Sequence, residues 1–166
     1  TGLAHPPVFV NSNLNDEAMV QLAHGMTSNT VPPLVTLRVL KEAQPLHGVD
    51  FFDAFPSAGL YDSPALIARV FRGMAWSHTL TVGANAAALP VATNLTWRWA
   101  LLQGDPEKVT IRPLGPSGQT AEITVAYHKP RFPSASEPTL PSSRVDIGAF
   151  AHNGTHPSAP AILSFY

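Results

Sequence analysis

The sequence predicts a mainly β fold, an antiparallel β-sandwich that follows an N-terminal extension. From residue 63 onward, short strand-like runs recur at a regular spacing and are separated by turn residues. The 166 residues include 17 prolines, and charged residues make up only 13% where about 25% is usual, which is typical of short elements joined by stiff turns. We therefore divide the chain into an extension, residues 1–62, and a sandwich, residues 63–166.

A short helix is predicted over residues 15–24 of the extension. Asn13 or Asn15 can cap its first turn, and Gly25 can end it. Apolar residues recur at every fourth position and are expected to form its buried side: Leu14, Ala18, Leu22 and Met26.

Two other segments of the extension are predicted to be extended. Residues 7–10 are the apolar piece of a proline-stiffened arm, and apolar and polar positions alternate over residues 34–40. An extended segment can add to the open edge of a neighbour's sheet and supply its missing backbone hydrogen bonds. We expect such contacts at six residues: Val8, Phe9, Val10, Val35, Leu37 and Val39.

Seven strand-like runs make up the predicted sandwich. The first run could also be helical, because Ser63-Pro64 and Gly73 are suitable helix boundaries. We predict a strand there, since the sandwich would otherwise lack its first member. The runs are residues 65–71, 79–84, 95–102, 109–113, 121–127, 144–151 and 159–165.

Alternation and turn residues add detail to these runs. Trp97 and Trp99 are expected in the core, with Arg98 pointing outward between them. Asn153-Gly154 indicates a hairpin with a type I′ turn, because both residues tolerate a positive φ. Residues 128–143 contain four prolines mixed with serines and are predicted to form a long crossing loop.

The runs resemble the PKD-type and related immunoglobulin-like repeats of exported bacterial proteins. The matching pieces are TLTV at 79–82, LTWRW at 95–99 with the turn QGDP at 103–106, VTI at 109–111, AEITV at 121–125 and the final hairpin around AHNG at 151–154. The resemblance covers about residues 65–166 and implies an immunoglobulin-like sandwich that is secreted or displayed at the cell surface. The family's acidic loop, which can hold calcium, is NAAALP at 85–90 here and has no carboxylate, so no calcium is expected there.

Charge and cysteine content exclude several classes of protein. A net charge of −1 with only three lysines argues against a nucleic-acid-binding surface. The absence of cysteine excludes disulfides, thiolate metal sites and cysteine nucleophiles. No apolar run approaches the ~18 residues of a membrane span. Because the chain starts at Thr1 without methionine, we expect a removed leader or a fragment of a longer protein.

No catalytic centre and no cofactor are predicted. Gly115-Pro116-Ser117-Gly118 does not match the Gly-x-Ser-x-Gly elbow and lies between strands, so we interpret it as a β-turn. His152 and His156 are candidate metal ligands because they flank one turn. No third ligand accompanies them, and the alternative is a pair of solvated loop histidines.

Aromatic and acidic residues offer a glycan-binding hypothesis. Trp76 lies in a predicted loop, and Tyr61 lies with Asp53 and Asp62 in the irregular segment before residue 63. Exposed rings can stack on sugars. The alternative is that the aromatic residues pack the extension onto the sandwich while the acids cap turns.

The function predicted from the sequence is therefore that of a non-enzymatic, exported structural or interaction protein. Its expected partners are copies of itself or the remainder of a larger protein, joined by strand addition. The alternative is a carbohydrate-binding or accessory module of a secreted enzyme.

Overall fold

The computed structural model describes residues 14–28, 30–52, 54, 59–71, 75–87, 95–131 and 141–166. These residues form one helix, one short 3-10 turn at Pro106–Lys108 and nine strands. No helix within the described ranges has the length and apolar character that crossing a bilayer requires. The elements are α1 (Asp16–Gly25), β1 (Leu34–Glu42), β2 (Gly59–Asp62), β3 (Leu66–Arg69), β4 (Ser77–Ala87), β5 (Thr96–Gln103), β6 (Val109–Leu114), β7 (Thr120–Ala126), β8 (Val145–His152) and β9 (Ala161–Phe165).

The strands form two sheets. The first sheet has the order β1-β4-β7-β6, and every neighbouring pair in it is antiparallel. The second sheet has the order β2-β3-β9-β8-β5. Its pairs are antiparallel except β3 with β9, which run parallel with Leu66 opposite Ile162.

A single apolar core lies between the two sheets. Side chains alternate between the faces of a strand, and every second residue is buried along β7 and, in β4, from Leu80 to Ala84. In the second sheet, the inner positions of β8 and β9 are also fully buried, among them Ile147 and Leu163. Residues of both sheets belong to one continuous cluster, so the sheets pack face to face as a sandwich.

The predicted mainly β class is confirmed, and each of the seven predicted runs contains a strand. The ambiguous first run is β3 rather than a helix. The Ser63 N–H donates to the Leu66 carbonyl at 2.8 Å, and the Ser63 hydroxyl accepts from the Leu66 N–H at 3.1 Å. These bonds close a tight turn, after which the chain extends along β9.

Strand β1 belongs to the first sheet, although the sequence placed it in the extension. It pairs with β4 from Leu34 opposite Ala87 to Glu42 opposite Leu80. Val35 and Leu37 are buried in the common core. The alternation of residues 34–40 thus reflects packing within this chain.

Helix α1 begins as predicted but does not bury its apolar side. The Asn15 side chain caps it by accepting from the Ala18 N–H at 2.9 Å. No residue of α1 is buried, and Leu22 is 53% exposed. The expectation of a buried side at Leu14, Ala18, Leu22 and Met26 is wrong. Periodicity shows which residues share a face, but it does not show whether another element covers that face.

The β8–β9 connection differs from the predicted type I′ turn. Gly154 has a φ of 93°, but no other described residue except glycine has a positive φ, so Asn153 does not adopt the required conformation. Instead, the Asn153 carboxamide oxygen accepts from the N–H groups of Thr155 (3.0 Å) and His156 (2.8 Å). The asparagine therefore shapes the turn through its side chain.

The common core predicts that truncation of a buried leucine lowers the free energy of unfolding much more than truncation of an exposed leucine. We expect Leu163→Ala to lower the free energy of unfolding by about 2–5 kcal/mol, because it leaves a cavity between the sheets. The control Leu60→Ala, at an exposed position of β2, should change it by less than about 0.5 kcal/mol. Urea unfolding followed by far-UV circular dichroism measures both values, and similar losses in the two variants would contradict the assigned core.

Candidate interaction surface and buried charge cluster

The predicted contact residues divide into two groups. Val35 and Leu37 are buried, and Val39 packs against the core, so these side chains serve the chain's own sandwich. Val8, Phe9 and Val10 lie outside the described residues. The surface available to a partner must therefore be sought at the sheet edges and outer faces.

Three of the four edge strands are shielded in recognisable ways. In β1, the Leu37 N–H donates to the Pro64 carbonyl at 2.7 Å. Strand β2 has only four residues. Strand β6 contains Pro113, which has no N–H to offer. Short length, proline and covering loops are the usual protections of a sheet edge.

Strand β5 is neither short nor interrupted by proline, and no described loop forms backbone hydrogen bonds with it. It is eight residues long, with the sequence TWRWALLQ, and Arg98 is its single charged residue. Among the described residues, its backbone pairs with β8 alone. Every second residue of an edge strand points its N–H and C=O away from the sheet, so β5 presents a row of backbone groups that no described residue pairs.

A mostly apolar groove lies on the outer face of the second sheet beside this edge. Trp97, Trp99 and Leu101 pack toward the core, as predicted for the tryptophans, so the alternate residues of β5 face outward. The groove has a volume of about 580 Å³. Its lining residues are Thr96, Trp97, Arg98, Ala100, Leu102, Phe150, Ala151, His152 and Pro157.

A glycine in β8 shapes the floor of the groove. A Cβ atom at Gly148 would lie 2.9 Å from both Leu102 Cδ1 and Phe150 Cε2. These two side chains therefore converge over the bare glycine backbone and form a continuous apolar surface. Leu102 remains 48% exposed, so the surface is open to solvent.

Polar groups mark one end of the groove. Arg98 is exposed, and no described residue forms an ion pair with it. His152 Nδ1 accepts from the Gly154 N–H at 2.9 Å. The metal candidates His152 and His156 do not belong to any group of three or more metal-ligating side chains among the described residues.

A cluster of ionisable residues joins the two sheets at the opposite side of the sandwich. The Arg69 guanidinium of β3 donates from Nε to both carboxylate oxygens of Glu42 in β1, at 2.9 and 3.0 Å. His78 Nε2 lies 2.8 Å from Glu42 Oε1, and Arg69 also donates to Asp62 Oδ1 at 3.2 Å. The side chains of Arg69 and Glu42 are only 6% and 8% exposed. This buried cluster ties β1 of the first sheet to β3 of the second.

Burial and hydrogen bonding oppose each other in this cluster. Burial raises the pKa of Glu42, but hydrogen bonds from His78 and Arg69 and their charges lower it by more, so its pKa lies below the ordinary value. Burial likewise lowers the pKa of Arg69, but Glu42 and Asp62 raise it, with a net upward shift. Glu42 and Arg69 are therefore both charged at neutral pH. Because an ionised carboxylate can only accept, the hydrogen bond between His78 and Glu42 is donated by the Nε2–H group of His78.

The described structure shows the separate surroundings of three of the four proposed glycan residues. Trp76 is 77% exposed, and its ring meets Tyr127 edge to face at a centroid distance of 5.7 Å. Tyr61 lies exposed in β2, and Asp62 bonds to Arg69. Asp53 is outside the described residues.

Sequence reasoning missed both the cluster and the groove. Glu42 and Arg69 are 27 residues apart, and no local spacing connects them. A signal for the groove was present in Gly148, because a glycine inside a strand marks a close approach of other groups. Comparison with family models, with curated proteins and with solved structures finds no match to this chain.

The depressed pKa of Glu42 predicts a specific pH dependence of stability. The folded pKa lies below the unfolded value of about 4.3, so the stabilisation is complete above that value and is lost as the pH falls through the folded pKa. We expect the free energy of unfolding of Glu42→Gln to decline less steeply than that of the wild type between about pH 5 and pH 3.

Urea unfolding at a series of pH values measures this difference. The control is Glu122→Gln, which removes a carboxylate paired with Arg112 in an exposed surface ion pair of little energetic weight. It should keep the wild-type slope. Equal slopes for the two variants would show that Glu42 does not contribute as described.

Proposed function

We propose that this chain is a non-enzymatic structural or interaction module that assembles with copies of itself by strand addition. The observation that carries the proposal is the eight-residue, mostly apolar edge of β5, which no other described strand pairs with. An unpaired strand edge is satisfied best by another strand, because only a strand offers N–H and C=O groups at the matching repeat.

The strand order supports an immunoglobulin-like fold as part of this proposal. If β1 and β4–β9 are taken in chain order as strands A to G, the two sheets have the orders A-B-E-D and G-F-C. These are the orders of an immunoglobulin constant-type sandwich. The β2–β3 pair then extends the second sheet beside strand G. Together with the resemblance to PKD-type repeats, this order favours a secreted or surface-displayed protein.

The N-terminal arm, whose apolar piece is residues 7–10, has a composition that favours the extended conformation needed to pair with the β5 edge. Residues 7–10 read Pro-Val-Phe-Val, in which two β-branched residues and one aromatic residue favour an extended conformation. Pro7 stands at the first position, where its missing N–H does not interrupt a ladder. We propose that residues 7–10 of one copy pair with β5 of another.

Removal of the arm should abolish the assembly. We expect the full chain to have a mass of two or more subunits by light scattering after size exclusion, and a variant lacking residues 1–10 to elute as a monomer of somewhat less than 17.7 kDa. A synthetic peptide of residues 5–13 should then bind the truncated protein. The same peptide with Val8 and Val10 changed to proline should not bind, because it lacks the N–H groups of the ladder.

Two outcomes would contradict strand addition. A full chain that remains a monomer at every concentration tested would exclude self-assembly. A truncated variant with the mass of the full-length assembly would show that the arm is not the connecting element.

A second candidate function, a carbohydrate-binding or accessory module of a secreted enzyme, is favoured by one observation. Trp76 presents a largely exposed indole next to the ring of Tyr127, and such rings can stack on the apolar face of a sugar. If this function holds, Trp76→Ala should remove binding on a glycan array. The control Phe52→Ala, at an aromatic residue that is 81% exposed, should keep it. An array without any binding by the wild type would exclude this function.

A further inference from the structure

Among the described residues, no element covers the apolar side of helix α1, and none of its residues is buried. Five apolar residues form one side of the helix and its end at spacings of three and four: Ala18, Met19, Leu22, Ala23 and Met26. Met19 and Leu22 are both more than half exposed. A ten-residue helix is marginal in water by itself, because most helical stability in proteins comes from packing of the apolar side.

The groove over β5 and β8 matches this helix in length and character. Ten helical residues span about 15 Å, and the stretch of β5 from Thr96 to Leu102 spans about 20 Å. The floor of the groove is apolar at Ala100, Leu102 and Phe150. An apolar helix side laid in such a groove removes both surfaces from water.

The charges at the two surfaces are complementary. Asp16 and Glu17 lie in the first turn of α1. Arg98 lies at the groove and has no ion-pair partner among the described residues. A helix that lies in the groove with its first turn near Arg98 brings opposite charges together.

We propose that α1 of one copy docks in the groove of a second copy. In the chain itself, Asn153 Nδ2 donates to the Val31 carbonyl at 2.9 Å, which holds the segment after the helix near the His152 end of the groove. This contact fixes Val31, six residues after the end of α1, beside the same end of the groove at which Arg98 lies. A helix from a second copy is not subject to this constraint and can lie with its first turn near Arg98.

The docking extends the strand addition proposed above and rests on it. Five residues, 11–15, separate the arm from the helix. Connections of 2–6 residues typically join a strand to a helix that packs on the same sheet. One copy can thus place its arm at the β5 edge and its helix on the adjoining outer face.

Two pairs of variants test the docking. Leu22→Ser removes an apolar contact of the helix, and its control Val20→Ser acts on the opposite side, between Asp16 and His24. Leu102→Ser alters the groove. Its control is Leu40→Ser, because Leu40 is 56% exposed and covers Gly83 of the first sheet much as Leu102 covers Gly148.

Hydrogen–deuterium exchange of the α1 amides is the readout, since strand addition alone leaves this helix undocked. We expect slow exchange in the wild type, acceleration by about tenfold or more in Leu22→Ser and Leu102→Ser, and little change in the two controls. Fast exchange of the wild-type helix within a particle of oligomeric mass would overturn the docking and leave the strand addition standing.

Mixing the two defective variants identifies the copy that supplies the groove. In an equimolar mixture, the intact helix of the Leu102→Ser copy can reach the intact groove of the Leu22→Ser copy. Hydrogen exchange of the α1 amides in the Leu102→Ser copy should therefore slow again. The α1 peptide of this copy can be distinguished by mass from that of the Leu22→Ser copy, which carries serine. If each helix occupies the groove of its own chain, mixing restores nothing and the proposal of a second copy is overturned.

Discussion

The apolar core shared by the two sheets is the constraint on which the rest of this structure depends. Because the inner faces of β4, β7, β8 and β9 are committed to this core, their side chains are not available to a partner. Any interaction must use the edges or the outer faces of the sheets. The same packing places β5 and β6 at one lateral side of the sandwich, and β1 with β3 at the other.

The two lateral sides of the sandwich differ in how the sheets are connected and closed. On the side of β1 and β3, the buried Glu42–Arg69 pair connects the sheets, and the Leu37 N–H bonds to the Pro64 carbonyl. Removal of Arg69 would leave the buried Glu42 carboxylate with His78 alone, and removal of Glu42 would leave Arg69 with Asp62 alone, so loss of either partner weakens this connection between the sheets. On the side of β5 no described strand continues the second sheet. The groove formed over Gly148 adjoins this edge, and the two surfaces together form the region that we propose as the contact with a neighbouring copy.

Much of the fold could be predicted from the sequence, because the period of two in a strand is a local property. This period predicted that Trp97 and Trp99 face the core, and it identified seven runs that all contain strands.

Features that depend on distant residues could not be predicted in this way. The alternation in residues 34–40 did not show that β1 joins β4, and the period of α1 did not show that its apolar side is uncovered. The turn at Asn153 was misjudged because a side-chain bond to Thr155 and His156 replaced the expected positive φ. The groove requires Leu102 and Phe150 to meet over a glycine, which no single strand shows.

The central claim is that the backbone edge of β5 is occupied by the arm of another copy. Hydrogen–deuterium exchange of residues 96–103, compared between the full chain and a variant lacking residues 1–10, tests it most directly. The β5 amides bonded to β8 should be protected in both proteins, and the alternate amides, which point away from β8, should be protected only when the arm is present. If those alternate amides exchange equally fast in both proteins, the edge is not filled by the arm and the account of assembly is wrong.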